Sequence, residues 1–142
     1  MPMYKEFNPD TGEILATLII PEASAEYAIK HGQHLILDEY QNAEYQTHYV
    51  DVQEHKIKLR PPQNTVQNKN EIIADGEDCV LLSNLPKPCK VYFNEHVYDV
   101  DDGGLQWSTF TPMIYKISVK AFPFLDFEGS VNAVESYTQS GA

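Results

Sequence analysis

The cleanest alternation in the chain is MIYKISVKAF: Tyr115, Ile117, Val119 and Ala121 share one parity, and Lys116, Ser118 and Lys120 share the other. A period of two is the side-chain repeat of a strand, so this segment predicts a half-buried strand. Around it EIIA, DCVLLSNL, CKVYFN, HVYDV, LQWSTF and FPFLDFEGSVNAV are short apolar runs separated by turn residues, PKP and DDGG among them. CKVYFN and HVYDV predict a hairpin about Asn94, Glu95 and His96, and Gly129 reads as a bulge. About seven short strands closely spaced predict a small immunoglobulin-like β-sandwich over residues 71–134. Two hallmarks of a true immunoglobulin domain are missing: Cys79 and Cys89 are only ten residues apart, and Trp107 follows both.

The N-terminal half carries a different pattern. In MYKEFNPDTGEILATLII two apolar runs flank NPDTG, where Pro, Asp and Gly supply turn chemistry, so a β-hairpin is expected. PEASAEYAIKHG follows, with Ser24 as a candidate cap, Lys30 and His31 near the end and Gly32 as a stop, and predicts a short helix. HLILDE reads as a strand. THYVDVQEHKIKLR reads as a second hairpin, with Ile57 and Leu59 on one face and Lys56, Lys58 and Arg60 on the other. Residues 1–60 therefore form a small α+β docking unit with a thin core. RPPQNTVQNKN, two prolines and then a polar run broken only by Val66, predicts a linker over 61–70 that sets the angle between the halves. The polar residues 135–142 are expected to form a flexible tail. The fold class is thus mostly β.

Composition narrows what such a chain binds. There are 21 acidic and 10 basic residues, a formal charge of −11. Such a surface is repelled by phosphate backbones and by anionic membranes, which argues against nucleic-acid and membrane partners. It suits a basic patch on another protein. No apolar run approaches the roughly 18–20 residues of a membrane span, and MPMYKEFNPDTG lacks the apolar core of a signal peptide. The expected place of synthesis and assembly is the cytoplasm. Two cysteines are no disulfide framework; they flank SNLPKPC and could face one another across a hairpin, either as thiols or as a late disulfide.

The chemistry-bearing residues do not fall into a catalytic pattern. The chain has no Gly-rich phosphate loop, nucleophile elbow or paired-His zinc motif. His31 and His34 are separated by Gly32 and read as turn residues. Asp99, Asp101 and Asp102 in YDVDDGG are weak Ca²⁺ candidates, since the later ligands of an EF-hand loop are missing. Glu39, Glu44 and Asp51 read as surface charge. No cofactor is expected, and the chain is read as non-enzymatic. The interface candidates are aromatic: Tyr40, Tyr45 and Tyr49 in DEYQNAEYQTHYVD, then Trp107, Phe122, Phe124 and Phe127. For the tyrosines, half-buried strand positions are the favoured reading and an interface the rival. Phe122 and Phe124 share a parity, which puts Phe127 on the other side unless a bulge intervenes.

Several turns and strand ends carry a resemblance. The pattern Y-x-E-F-N-P-D-T-G-E-I, then T-H-Y-V-D-V and R-P-P, is similar to the opening of a group of small tailed-bacteriophage proteins. So are I-A-D-G-E-D, L-S-N-L-P-K-P-C, Y-D-V-D-D-G and A-F-P-F-L-D-F-E further on, with Phe124 standing where a Tyr is usual. The likeness runs from about Tyr4 to Ala133. It implies an accessory virion structural protein, assembled in the host cytoplasm and present in multiple symmetric copies. The partners it implies are other virion proteins of the tail, the tail fibre or the major capsid. Attachment at the tail or tail fibre is the first expectation and capsid decoration the second. A glycan-binding adhesion module, using Trp107 and the tyrosines, and a tail-fibre assembly chaperone are the rivals. The resemblance supplies no catalytic residues.

Overall fold

The computed structural model describes residues 1–136; the predicted tail falls largely outside them. Among the described residues strands make up 44% and one helix 7%, so the fold is mostly β with one short helix. The chain divides into two compact units. The first comprises Met1–Pro61 together with Phe122–Leu125, and the second comprises Pro62–Ala121 and the described residues from Asp126 to Ser136.

In the first unit β1 (Met3–Phe7) pairs antiparallel with β2 (Ile14–Ile19) and with β3 (Leu35–Leu37), giving the order β2-β1-β3. NPDTG makes the expected turn. The Asn8 side chain accepts from the N–H groups of Asp10 and Thr11, and Gly12 adopts a φ of +85°. Any Cβ at Gly12 would sit 2.0 Å from the Val50 carbonyl oxygen, so only glycine fits there. Helix α1 (Glu22–Lys30) covers one face of the sheet, where Ala25 and half-buried Ala28 meet Tyr4 and Leu35. Its N-cap is Pro21, and Ser24 lies inside the helix rather than capping it. Gly32, at φ +94°, ends the helix as expected. The other face of the sheet packs Phe7, Ile14 and Ile36 against Ala43 and Val50. Val50 belongs to the hairpin β4 (His48–Asp51) and β5 (Lys56–Leu59).

The second unit holds two sheets. One has five strands in the order β10-β9-β12-β13-β7, and the other has three in the order β11-β8-β6. The strands are β6 (Val66–Gln67), β7 (Glu71–Ile73), β8 (Val80–Ser83), β9 (Cys89–Phe93), β10 (His96–Val100), β11 (Leu105–Trp107), β12 (Met113–Lys120) and β13 (Phe127–Val134). A single core joins them: Val80, Leu82 and Trp107 from the small sheet meet Ile72, Val91, Phe93, Ile117, Val119 and Val131 from the large one. All sheet pairs are antiparallel except β13 with β7. This is the strand order of an immunoglobulin-like sandwich. β6 and β7 are two halves of the first strand, split between the sheets, and the smaller sheet lacks its fourth strand.

Three further expectations change. The segment 61–70 contains β6, which pairs with Leu82 and Ser83, where the polar run predicted a linker. Polar side chains extend the ladder there: Asn68 Oδ1 accepts from Leu81 N–H, and Gln67 Nε2 donates to the carbonyls of Lys69 and Ser130. Gly129 is no bulge, since β12 and β13 stay in register from Met113↔Ala133 to Val119↔Phe127. A Cβ at Gly129 would lie 2.6 Å from Gln67 Oε1, so the glycine makes room for that side chain. Cys79 and Cys89 do not face one another across a hairpin. Cys79 leads into β8 and Cys89 opens β9, strands of different sheets; both are free thiols, and burial pushes the Cys89 thiol up.

The parity of β12 gives a direct test. Ile117 is 0% exposed and Ile114 is 64% exposed on the same strand. Ile117→Ala is expected to cost about 2–5 kcal/mol. Ile114→Ala is expected to stay within about 0.5 kcal/mol of the wild type. Urea unfolding followed by Trp107 fluorescence measures both.

Candidate functional site

A groove of about 560 Å³ opens in the first unit between the β3 end and the β5 hairpin arm. One wall is Ile36–Tyr40 and Asn42; the other is formed by His48, His55, Lys56, Ile57 and Leu59. Among the described residues each wall contains a strand with one partner only, β1 for β3 and β4 for β5, so each has an open edge. An open edge presents unpaired backbone donors and acceptors. Around the groove Leu37 is half-exposed, Leu59 is 71% exposed and Tyr40 is 81% exposed.

The groove keeps its shape through buried polar contacts. Asp38 ends the pairing of β3, its N–H donating to Met3 O at 2.9 Å. Its carboxylate accepts from Ala43 N–H at 3.1 Å and lies 3.7 Å from Lys5 Nζ, both side chains being buried. Lys5 Nζ also donates to Thr17 Oγ1 at 2.6 Å. Removing one partner of such a buried pair costs about 3–5 kcal/mol, because the other charge is left uncompensated. This holds the turn that lifts Tyr40 out of the surface. On the opposite wall Asp51 Oδ1 accepts from the N–H groups of Gln53 and Glu54, and Lys58 bridges Asp51 and Glu54.

Of the aromatic candidates, Tyr40 stands at the groove rim. Tyr45 and Tyr49 instead each meet Phe122. Phe122 stacks on Tyr45 with ring centres 6.3 Å apart and meets Tyr49 edge-on at 6.0 Å. Phe124 lies with Phe122 in the stretch Phe122–Leu125, a loop between β12 and β13. The parity argument for Phe122 and Phe124 therefore fails: no strand runs through them, and Phe127 opens β13 and packs on the sandwich core.

Trp107 is a correction of larger consequence. It is 8% exposed, stacked on Phe93 at 4.2 Å and 7°, with Tyr115 edge-on at 4.6 Å and Nε1 donating to Tyr98 Oη. An indole so enclosed offers no face to a sugar or a partner. The Ca²⁺ candidates do not converge: Asp99 pairs with Lys90 at 2.8 Å, and Asp102 accepts from Gly104 N–H. Among the described residues no group of three or more His, Cys, Asp or Glu side chains is placed to hold a metal ion, and no helix is long and apolar enough to cross a membrane.

Sequence reasoning missed Arg60 and Leu59. The alternation in KIKLR put Leu59 inward and Arg60 outward, and the structure reverses both: Leu59 is exposed and Arg60 buried. The inward face ends at Ile57, beyond which the small core has nothing to offer Leu59. No pattern in the sequence announces the reversal. Phe110, exposed on the second unit, was also passed over; its ring lies across Gly76, where a Cβ would meet it at 2.2 Å.

Comparison with known protein families, curated proteins and solved structures finds no match to this chain.

The wall carrying Asp51 is expected to loosen in acid. The Glu54 N–H first, then the Lys58 ammonium, hold Asp51 down at about 2. A carboxyl whose folded value lies below the ordinary one, about 3.9, stabilises the fold above that value and loses its effect as pH falls toward 2. Amide exchange of β4 and β5 is therefore expected to accelerate as pH drops from about 4 to 2, beyond the intrinsic change. Asp51→Asn should accelerate it already at pH 7 and flatten the pH dependence.

Proposed function

We propose that this chain is a non-enzymatic structural protein of a tailed-bacteriophage particle, an accessory component of the tail or tail-fibre attachment region that docks onto other virion proteins. Docking rests on one observation: the groove of the first unit, bounded by two open strand edges and rimmed by exposed Leu37, Tyr40 and Leu59. An extended segment of a partner adds to such an edge through its backbone and seats alternate side chains among the apolar ones. Tyr40 suits the role, offering area at low entropic cost. The formal charge of −11 draws the chain toward a basic partner. The phage assignment rests on the turn and strand-end motifs that resemble small virion proteins. Assembly in the host cytoplasm and incorporation in symmetric copies belong to the same reading.

The test is the composition of particles made from the genome that encodes the chain. Mass spectrometry of purified particles is expected to find it at a fixed copy number. Its presence in infected lysate but absence from particles would reject the structural role. Leu59→Asp combined with Tyr40→Ala is expected to lower occupancy at least tenfold, as removal of a buried anchor does. The urea midpoint read by Trp107 should not move. Full occupancy of that variant would remove the groove from the proposal.

A further inference from the structure

Arg60 is buried within the first unit, and much of what surrounds it comes from far along the chain. Its Nε donates to Pro123 O at 3.0 Å, Nη2 to Phe124 O at 2.5 Å and Nη1 to Tyr45 O at 3.2 Å. Its guanidinium lies 5.4 Å from the Tyr45 ring centre and 5.0 Å from that of Phe122. Next to it Leu125 N–H donates to Pro61 O at 2.7 Å. Phe122 is wedged against Tyr45 and Tyr49. Four consecutive residues, Phe122–Leu125, are thus held by an anchor ring, two captured carbonyls and one backbone hydrogen bond.

These are the contacts by which a protein recognises a peptide. A planar guanidinium presents a fixed fork of donors, which reads backbone carbonyls in a set geometry; an ammonium is a single point charge and cannot. Arg between aromatic faces gains cation–π attraction as well. A segment containing Pro offers fewer competing donors and loses less freedom on binding.

We propose that the Arg60 pocket is a peptide-recognition site for an aromatic-Pro-aromatic segment, filled in cis by Phe122–Leu125, and that the first unit is complete only when it is filled. Residues 1–61 then carry the receptor half and residues 122–125 the ligand half. The aromatic residues Tyr45, Tyr49 and Phe122 serve this internal contact, and partner binding is left to the groove. The inference stands apart from the virion reading, since the contacts are the same whatever the chain docks onto.

The test empties the pocket in the full-length chain by replacing Phe122→Gly, Pro123→Ser, Phe124→Gly and Leu125→Ser together. Hydrogen exchange of residues 43–60 reads the first unit, and Trp107 fluorescence in urea reads the second. Exchange in 43–60 is expected to rise at least tenfold while the Trp107 transition persists. Adding the peptide Ala-Phe-Pro-Phe-Leu-Asp, blocked at both ends, at millimolar concentration should restore protection. The same peptide with its first Phe replaced by Ala should not. Arg60→Ala is expected to raise exchange in 43–60 to a similar extent and Arg60→Lys by less, with neither rescued by peptide. Exchange within twofold of the wild type in the emptied chain overturns the proposal. So does failure of the peptide to restore protection, and so does loss of the Trp107 transition, which would mean the segment serves the second unit instead.

Discussion

Phe93 and Trp107 lie ring on ring, 4.2 Å apart and 7° from parallel, one from each sheet of the second unit. The sandwich depends on this stack. A strand sheds water from only one of its faces, so each sheet needs another surface against its apolar side. The two large rings fill the middle of that space, and Tyr115 and Tyr98 close around them while keeping their hydroxyls hydrogen-bonded. The smaller residues Val80, Leu82, Val91, Ile117 and Val131 then pack beside the rings. Outward positions need no such partner, so Lys90, Lys116 and Lys120 stand there at no cost.

The first unit is held by a different balance. Its apolar clusters are small, and its helix touches the sheet mainly through Ala25 and Ala28. Small cores leave room for polar groups to fix geometry. Lys5 and Asp38 meet beneath the turn that carries Tyr40, and Arg60 is buried among carbonyls and rings. Directional contacts of this kind specify one arrangement more than they add stability. They also explain why two short strand edges stay open: the chain leaves β3 at Asp38, too soon for a further strand to pair there.

What could be read from the sequence follows from this contrast. In the second unit burial is periodic, and MIYKISVKAF displays its inward face directly. CKVYFN and HVYDV likewise pair as β9 and β10 about Asn94 and Glu95. In the first unit NPDTG and Gly32 were legible, because positive φ and turn chemistry are local demands. Arg60 was not, because its burial depends on carbonyls more than 60 residues away. Gln67 and Asn68 were read as linker because composition cannot show that an amide side chain will stand in for a backbone partner. Trp107 was misjudged for a related reason: an aromatic residue type is compatible with an interface and with a core, and only the opposite sheet decides between them.

The same logic redistributes the candidate interface. Residue type marked seven aromatics; burial and contact leave Tyr40 as the most exposed of them, at the groove rim, and add Leu37 and Leu59, which type alone would have assigned inward. An exposed leucine on a strand edge is tolerated when the edge is short, and β3 and β5 have three and four residues. Two such edges facing one groove are harder to explain as chance exposure. Each alone would invite uncontrolled pairing; together they line one groove with apolar side chains beside Glu39 and Lys56, charges of both signs. A unit with cores this thin has no interior to offer Leu37, Leu59 and Tyr40, whereas the second unit draws its largest rings, Phe93 and Trp107, inside.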